Sequence, residues 1–176
     1  MPDLIFDRIR RDLPRDELAA IEEQVRNRYT SLTHVDVASV PQLLANGPEL
    51  IIFDVREAVE YEVSHIPGAI RVDPGISAVD FMQRFGRQIA DKQVLFYCSV
   101  GRRASRLAIR VERPLAAAGV RIHNLSGGIF RWFGDQQPLE DSAGNTVAFI
   151  HPYNQSVGTL MPRANPNDAP SLQMLP

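Results

Sequence analysis

QVLFYCSVGRRASRLAIR, residues 93–110, reads as a strand, a loop and a helix in direct succession. The run QVLFYCS (93–99) is almost continuously apolar, which predicts a strand covered on both faces. A short loop containing Gly101 and two arginines follows, and RASRLAIRVERPLAAAG (103–119) reads as a helix. The thiol of Cys98 therefore falls at the carboxyl end of a strand, where open parallel sheets place their ligand sites.

The same alternation recurs on either side. ELIIFDV (49–55) is a second buried strand, and REAVEYEVSH (56–65) suits a short helix. IPGAIRVD (66–73) reads as a turn and a short strand, and SAVDFMQRFGRQI (77–89) as a helix. Downstream, VRIHNLSGG (120–128) is a strand running into a glycine turn, and IFRWFGDQQPLE (129–140) a short helix. Upstream, HVDVASV (34–40) is short and β-branched, and VPQLLANG (40–47) is a brief helix ended by Gly47. Strands alternating with helices over residues 33–140 predict an α/β domain, a parallel sheet with helices on both faces.

Two extensions flank that domain. In residues 1–32, Leu18, Ile21, Val25 and Tyr29 form an amphipathic helical stripe, with Pro14 and Asp16 near its start. Residues 141–176 form a partly irregular C-terminal extension: TVAFIHPY (146–153) is apolar enough to pack, and RANPNDAPSLQMLP (163–176) reads as extended. The apolar content of both extensions predicts docking on the domain or a homodimer interface. Pro114 lies inside the helix that follows Cys98. In a helix interior proline costs ~3 kcal/mol, so a kink or a division into two short helices is expected.

The bulk numbers narrow the function. The 176 residues are 44% apolar and 23% charged, an ordinary globular balance, and the net charge of −2 offers no general attraction to nucleic acid. No apolar run approaches the ~20 residues that span a bilayer, and the charged N-terminus lacks a signal-peptide core, so no membrane partner and a cytoplasmic location are expected. Cys98 is the one cysteine and the four histidines are scattered, which argues against a disulfide, a metal site and any resident cofactor.

The loop around Cys98 carries the chemistry. Ser99, Val100, Gly101, Arg102 and Arg103 lead into a helix N-terminus, a context that can turn successive backbone N–H groups toward an anion. The helix dipole and two guanidinium groups add positive charge, so the loop favours thiolate over thiol. An inert core cysteine is the bland alternative. Nearby, Asp54 follows three apolar residues, and its carboxylate needs a partner, for which Arg56 or a loop N–H would serve. Arg102, Arg106, Arg110 and Arg113 form a basic stripe, read either as a solvated helix face or as docking for an acidic acceptor protein.

CSVGRRAS (98–105), with an arginine five positions after the cysteine, resembles the active-site loop of the rhodanese family. LIIFDVREAVEYEVSHIPGAIRVD (50–73) resembles that family's upstream signature, D-V-R-x-x-x-E-Y followed by H-I-P-G-A, and LSGGIFRW (125–132) its downstream glycine turn. The resemblance covers residues 33–140 and implies a rhodanese-like fold of five parallel strands with helices on both sides. It further implies a single-domain sulfurtransferase in which Cys98 carries sulfur as a persulfide. The donor would be a small anion such as thiosulfate, and the acceptor cyanide, a thiol or an acceptor protein. Ser99, Val100, Gly101, Arg102 and Arg103 would bind the donor, with Asp54 and Arg56 bracing the site. Arg103→Ala is expected to weaken donor use with folding intact. Two other functions compete. A fold-related cysteine phosphatase or arsenate reductase needs a loop one residue longer, and a non-enzymatic binding module needs no reactive thiol.

Overall fold

The computed structural model describes residues 15–151. Five strands, β1 (Thr33–Val35), β2 (Leu50–Asp54), β3 (Ile70–Arg71), β4 (Gln93–Tyr97) and β5 (Arg121–Leu125), form one parallel sheet in the order β1-β5-β4-β2-β3. The central strands β2 and β4 pair over their whole length, Leu50 with Gln93 through Asp54 with Tyr97. Both are buried on both faces, which is why their sequences show no polar alternation.

Alternation along each strand sorts the side chains into two cores. On one face Ile51, Phe53, Val94, Phe96 and Cys98 meet α4 (Ala78–Ile89) and α5 (Arg102–Ala117). On the other, Ile52, Leu95 and Tyr97 meet α1 (Arg15–Arg28), α2 (Val40–Ala45) and α6 (Gly128–Gly134). Short α3 (Ala58–Val63) follows β2. Cys98 stands one residue beyond β4 and continues its alternation toward α5.

The N-terminal helix docks on its own domain. Leu18 and Val25 of the predicted stripe are buried, and Ile21 packs against the same core, so the stripe needs no second copy of the chain to cover it. Beyond the sheet, β6 (Leu139–Glu140) and β7 (Thr146–Val147) form a small antiparallel hairpin, and Ile150 inserts into the core. The predicted features at 1–14 and 152–176 lie outside the described residues. No helix among the described residues is long and apolar enough to cross a membrane.

Two expectations are corrected. Of the β-branched 34–40 stretch only His34 and Val35 lie in a strand, the end of β1: the chain turns through a single 3-10 turn at Val37–Ser39, and Pro41 is the second residue of α2. Pro114 does not divide the helix after Cys98, because α5 runs unbroken for 16 residues. Pro114 sits in its last turn, where the one hydrogen bond it removes frees only the carbonyl four residues back.

Phe53 is the centre of the α4–α5 face. It is fully buried, with the rings of Phe85, Phe81 and Phe96 at 5.0, 5.4 and 5.5 Å. Phe53→Ala is expected to cost about 3–5 kcal/mol in urea unfolding, since both a large transfer term and a cavity are lost.

Candidate active site

The loop after β4 is held from below by backbone hydrogen bonds. Ile129 N–H donates to the carbonyl of Cys98 at 2.9 Å, and Phe130 N–H to that of Ser99 at 3.1 Å. These are unpaired donors from the first turn of α6, satisfied by the loop instead of by water. Gly128 makes this approach possible. It adopts φ +55°, and a Cβ there would fall on the carbonyl oxygen of Cys98 and come within 2.7 Å of that of Ser99. The glycine turn in LSGGIFRW is thus the seat of the cysteine loop.

Those two bonds aim the loop's donors. In a trans peptide the carbonyl of one residue and the N–H of the next point in opposite directions, and the described residues contain no cis peptide. With the carbonyls of Cys98 and Ser99 turned to α6, the N–H groups of Ser99 and Val100 point to the opposite side. That is the face of the sheet to which the Cys98 side chain belongs. Gly101, at φ +91°, caps α5, and its carbonyl accepts from Ser105 N–H and Ser105 Oγ. The Arg102 N–H therefore points out of the helix N-terminus, where the dipole is positive.

Cys98 itself is only 2% exposed and packs with the α4–α5 core. The sequence-predicted loop residues divide into groups. Val100 faces the opposite core, among the residues that meet α1 and α6. Arg102 is exposed and reaches Gln24 of α1, donating to its Oε1 at 3.1 Å. Arg103 folds back across the loop. Its Nη1 and Nη2 donate to Glu60 at 2.6 and 2.8 Å, and Nη2 also donates to Ser99 Oγ at 2.9 Å. Ser99 Oγ in turn donates to Glu60 Oε1 at 3.1 Å.

Glu60 is the partner that the residue-level reading missed. It is the acid of the quoted D-V-R-x-x-x-E-Y stretch, and it closes a capping box on α3: Glu57 N–H donates to its Oε2 at 3.0 Å. A capping pattern after a buried strand was the signal that could have found it. Burial alone would raise the Glu60 carboxyl. The hydrogen bonds from Arg103 and the Glu57 N–H, with the charges of Arg103 and Arg56, outweigh it and hold Glu60 below the usual carboxylate range.

Asp54 and Arg56 form a second, fully buried cluster near the first, at the paired ends of β2 and β4. Arg56 donates to Asp54 through Nε at 2.9 Å and Nη2 at 2.6 Å, and Nη2 also donates to the Ser64 carbonyl at 2.6 Å. Tyr97 Oη donates to Asp54 Oδ2 at 2.6 Å and accepts from Ile66 N–H. Burial, with the nearby Asp54 charge, pushes the Tyr97 hydroxyl well above its ordinary value, so it stays a proton donor. Tyr97 immediately precedes Cys98, so this cluster holds the strand end from which the thiol projects.

A thiol at the end of a central parallel strand, beside a helix N-terminus and an arginine clasped to Glu60, places the candidate site of this α/β domain at the carboxyl edge of its sheet. The model of the rhodanese-like domain matches residues 36–135, and the chain belongs to that family. It is 26% identical over 107 residues to the putative sulfurtransferase YtwF of Bacillus subtilis, covering 61% of this chain and 96% of that protein. It is 32% identical over 102 residues to a tRNA uridine(34) hydroxylase of Bordetella parapertussis, covering 56% of this chain but only 41% of that one. Thiosulfate sulfurtransferase from Pseudomonas aeruginosa superposes with a TM-score of 0.53 at 22% identity, over 81% of this chain and 26% of that one, and shares its fold.

Two expectations follow from the site. The sequence alone implied that Arg103→Ala leaves folding intact; with Arg103 paired to Glu60, the substitution is expected instead to destabilise the fold, because it leaves the buried carboxylate without its cation. A loss of at least ~2 kcal/mol is expected in urea unfolding at neutral pH, with Glu60→Gln/Arg103→Ala together losing less than the sum. Because the folded Glu60 carboxyl is lowered, its stabilisation is present above the ordinary glutamate range and lost as pH falls through and below it. Glu60→Gln should therefore flatten the acid limb of a stability-against-pH profile.

Proposed function

We propose that this chain is a sulfurtransferase that moves sulfane sulfur from a small anionic donor, such as thiosulfate, to a thiophilic acceptor through Cys98. The observation that carries this reading is the set of hydrogen bonds that turn the carbonyls of Cys98 and Ser99 to α6 and that of Gly101 into α5, from which peptide planarity directs the Ser99, Val100 and Arg102 N–H groups the other way. Membership of the rhodanese-like family and similarity to a putative sulfurtransferase support it.

The reaction runs in two displacements. The Cys98 thiolate attacks the outer sulfur of thiosulfate, the S–S bond of the donor breaks, and sulfite leaves with the electron pair. The persulfide anion then sits among N–H groups and positive dipole. An acceptor nucleophile takes the outer sulfur, and Cys98 leaves as thiolate. The burial of Cys98 suits the second step: the outer sulfur stands about 2 Å beyond Sγ and is the atom presented to an acceptor. In this scheme Ser99, Val100, Gly101 and Arg102 supply the cradle, while Arg103 shapes it from Glu60. Asp54 and Arg56 brace the strand end. A lone thiol without a pairing cysteine suits a reducing compartment such as the cytoplasm.

The same burial favours a second reading, a binding module whose cysteine is a core residue. One experiment separates them. Intact mass spectrometry after incubation with thiosulfate is expected to show one added sulfur atom per chain, removed by cyanide and absent in Cys98→Ser. An unmodified wild-type chain would establish the binding module instead.

A further inference from the structure

Four arginines of the described chain have a carboxylate partner: Arg26 with Asp36, Arg56 with Asp54, Arg103 with Glu60, and Arg131 with Glu22. Three that converge on one concavity do not. Arg28, Arg102 and Arg106, with Gln24, Asn27 and Tyr29, line a cavity of about 570 Å³ between the C-terminal half of α1 and the first turns of α5. Among the described residues no acidic side chain pairs with any of the three. Arg102 reaches only the neutral Oε1 of Gln24, and Arg28 lies over the ring of Tyr29 at 5.8 Å.

Three like charges around one concave space repel, and an anion placed among them removes that cost. The planar fork of arginine matches a carboxylate with two parallel hydrogen bonds. The volume is that of a small-molecule site. Its inner wall is Arg102, the first residue of α5 and a member of the cysteine loop, so a ligand held here lies against the loop that carries Cys98. Its outer wall is α1, which lies wholly before the family-matched residues 36–135. The helix that builds it is fixed in place. Val25 and Leu18 are buried, and Glu22 is paired with Arg131 of α6.

We propose that this cleft binds the carboxylates of a small anionic thiol, which is the acceptor of sulfur from Cys98. The proposal rests on the sulfur-transfer reading above. In the step it serves, the acceptor thiolate attacks the outer sulfur of the Cys98 persulfide. A new S–S bond forms to the acceptor, the bond to Cys98 Sγ breaks, and the electron pair leaves on Cys98. The acceptor departs as a persulfide, and no outside oxidant or reductant is required.

The test uses the full chain and glutathione, a thiol with a carboxylate at each end. Arg28→Gln/Arg106→Gln is expected to raise the KM for glutathione about tenfold while leaving kcat, and the rate with cyanide as acceptor, unchanged. The wild type should prefer glutathione to uncharged 2-mercaptoethanol, with that preference shrinking as salt screens the cleft. An unchanged glutathione KM in the double variant overturns the proposal. Calorimetric titration with S-methylglutathione, which cannot accept sulfur, reads the cleft independently of chemistry. Normal loading of Cys98 with no S-methylglutathione binding to wild type defeats the cleft alone. Binding that the double variant loses, with no sulfur ever reaching Cys98, defeats the transfer reading and with it the acceptor role.

Discussion

Two backbone hydrogen bonds, from Ile129 and Phe130 to the carbonyls of Cys98 and Ser99, are the constraint on which the site depends. They satisfy the open end of α6 and, through the planarity of the peptide unit, dictate where the next N–H groups point. Removing carbonyls from the thiol side is as important as supplying donors there, because a carbonyl oxygen facing the sulfur would repel its anion. Gly128 makes the arrangement sterically possible, and the pairing of Glu22 with Arg131 ties the same turn to the N-terminal helix. The helix before the sheet and the helix after it thus meet at the cysteine loop.

Charge is distributed around that loop in two ways. Glu60 and Asp54 are buried, each held by an arginine and by a hydroxyl, so their desolvation is offset by several charge-assisted hydrogen bonds. Such clusters contribute less to net stability than to a single geometry, since any other arrangement leaves a buried charge without a partner. One cluster clasps the loop from α3, and the other holds the end of β4. In the cleft between α1 and α5, Arg28, Arg102 and Arg106 have no acidic partner among the described residues. The contrast separates structural charge, consumed inside the fold, from charge still available to a ligand.

The burial of Cys98 fits between these. A sulfur atom beneath a helix N-terminus, with a glycine-capped loop above it, is shielded from bulk water, and fixed dipoles act more strongly there than in solvent.

The layered architecture and the place of the thiol were legible in the sequence because both rest on local periodicity. LIIFD and QVLFY lack polar alternation, as only a doubly covered strand can, and a thiol just after one of them falls at the sheet's carboxyl edge whatever the strand order. The stripe of Leu18, Ile21 and Val25 announced a docked helix for the same reason. What only the tertiary structure decided were the partners. Glu60 and Arg103 are 43 residues apart, Glu22 and Arg131 109 apart, and Ile129 meets Cys98 through a turn that the intervening helix and strand bring back. Periodicity states which face of an element is covered but not which element covers it. That choice depends on strand order and register, and with it came the pairing of Arg103 with Glu60 and Ser99, which their positions in the sequence do not state.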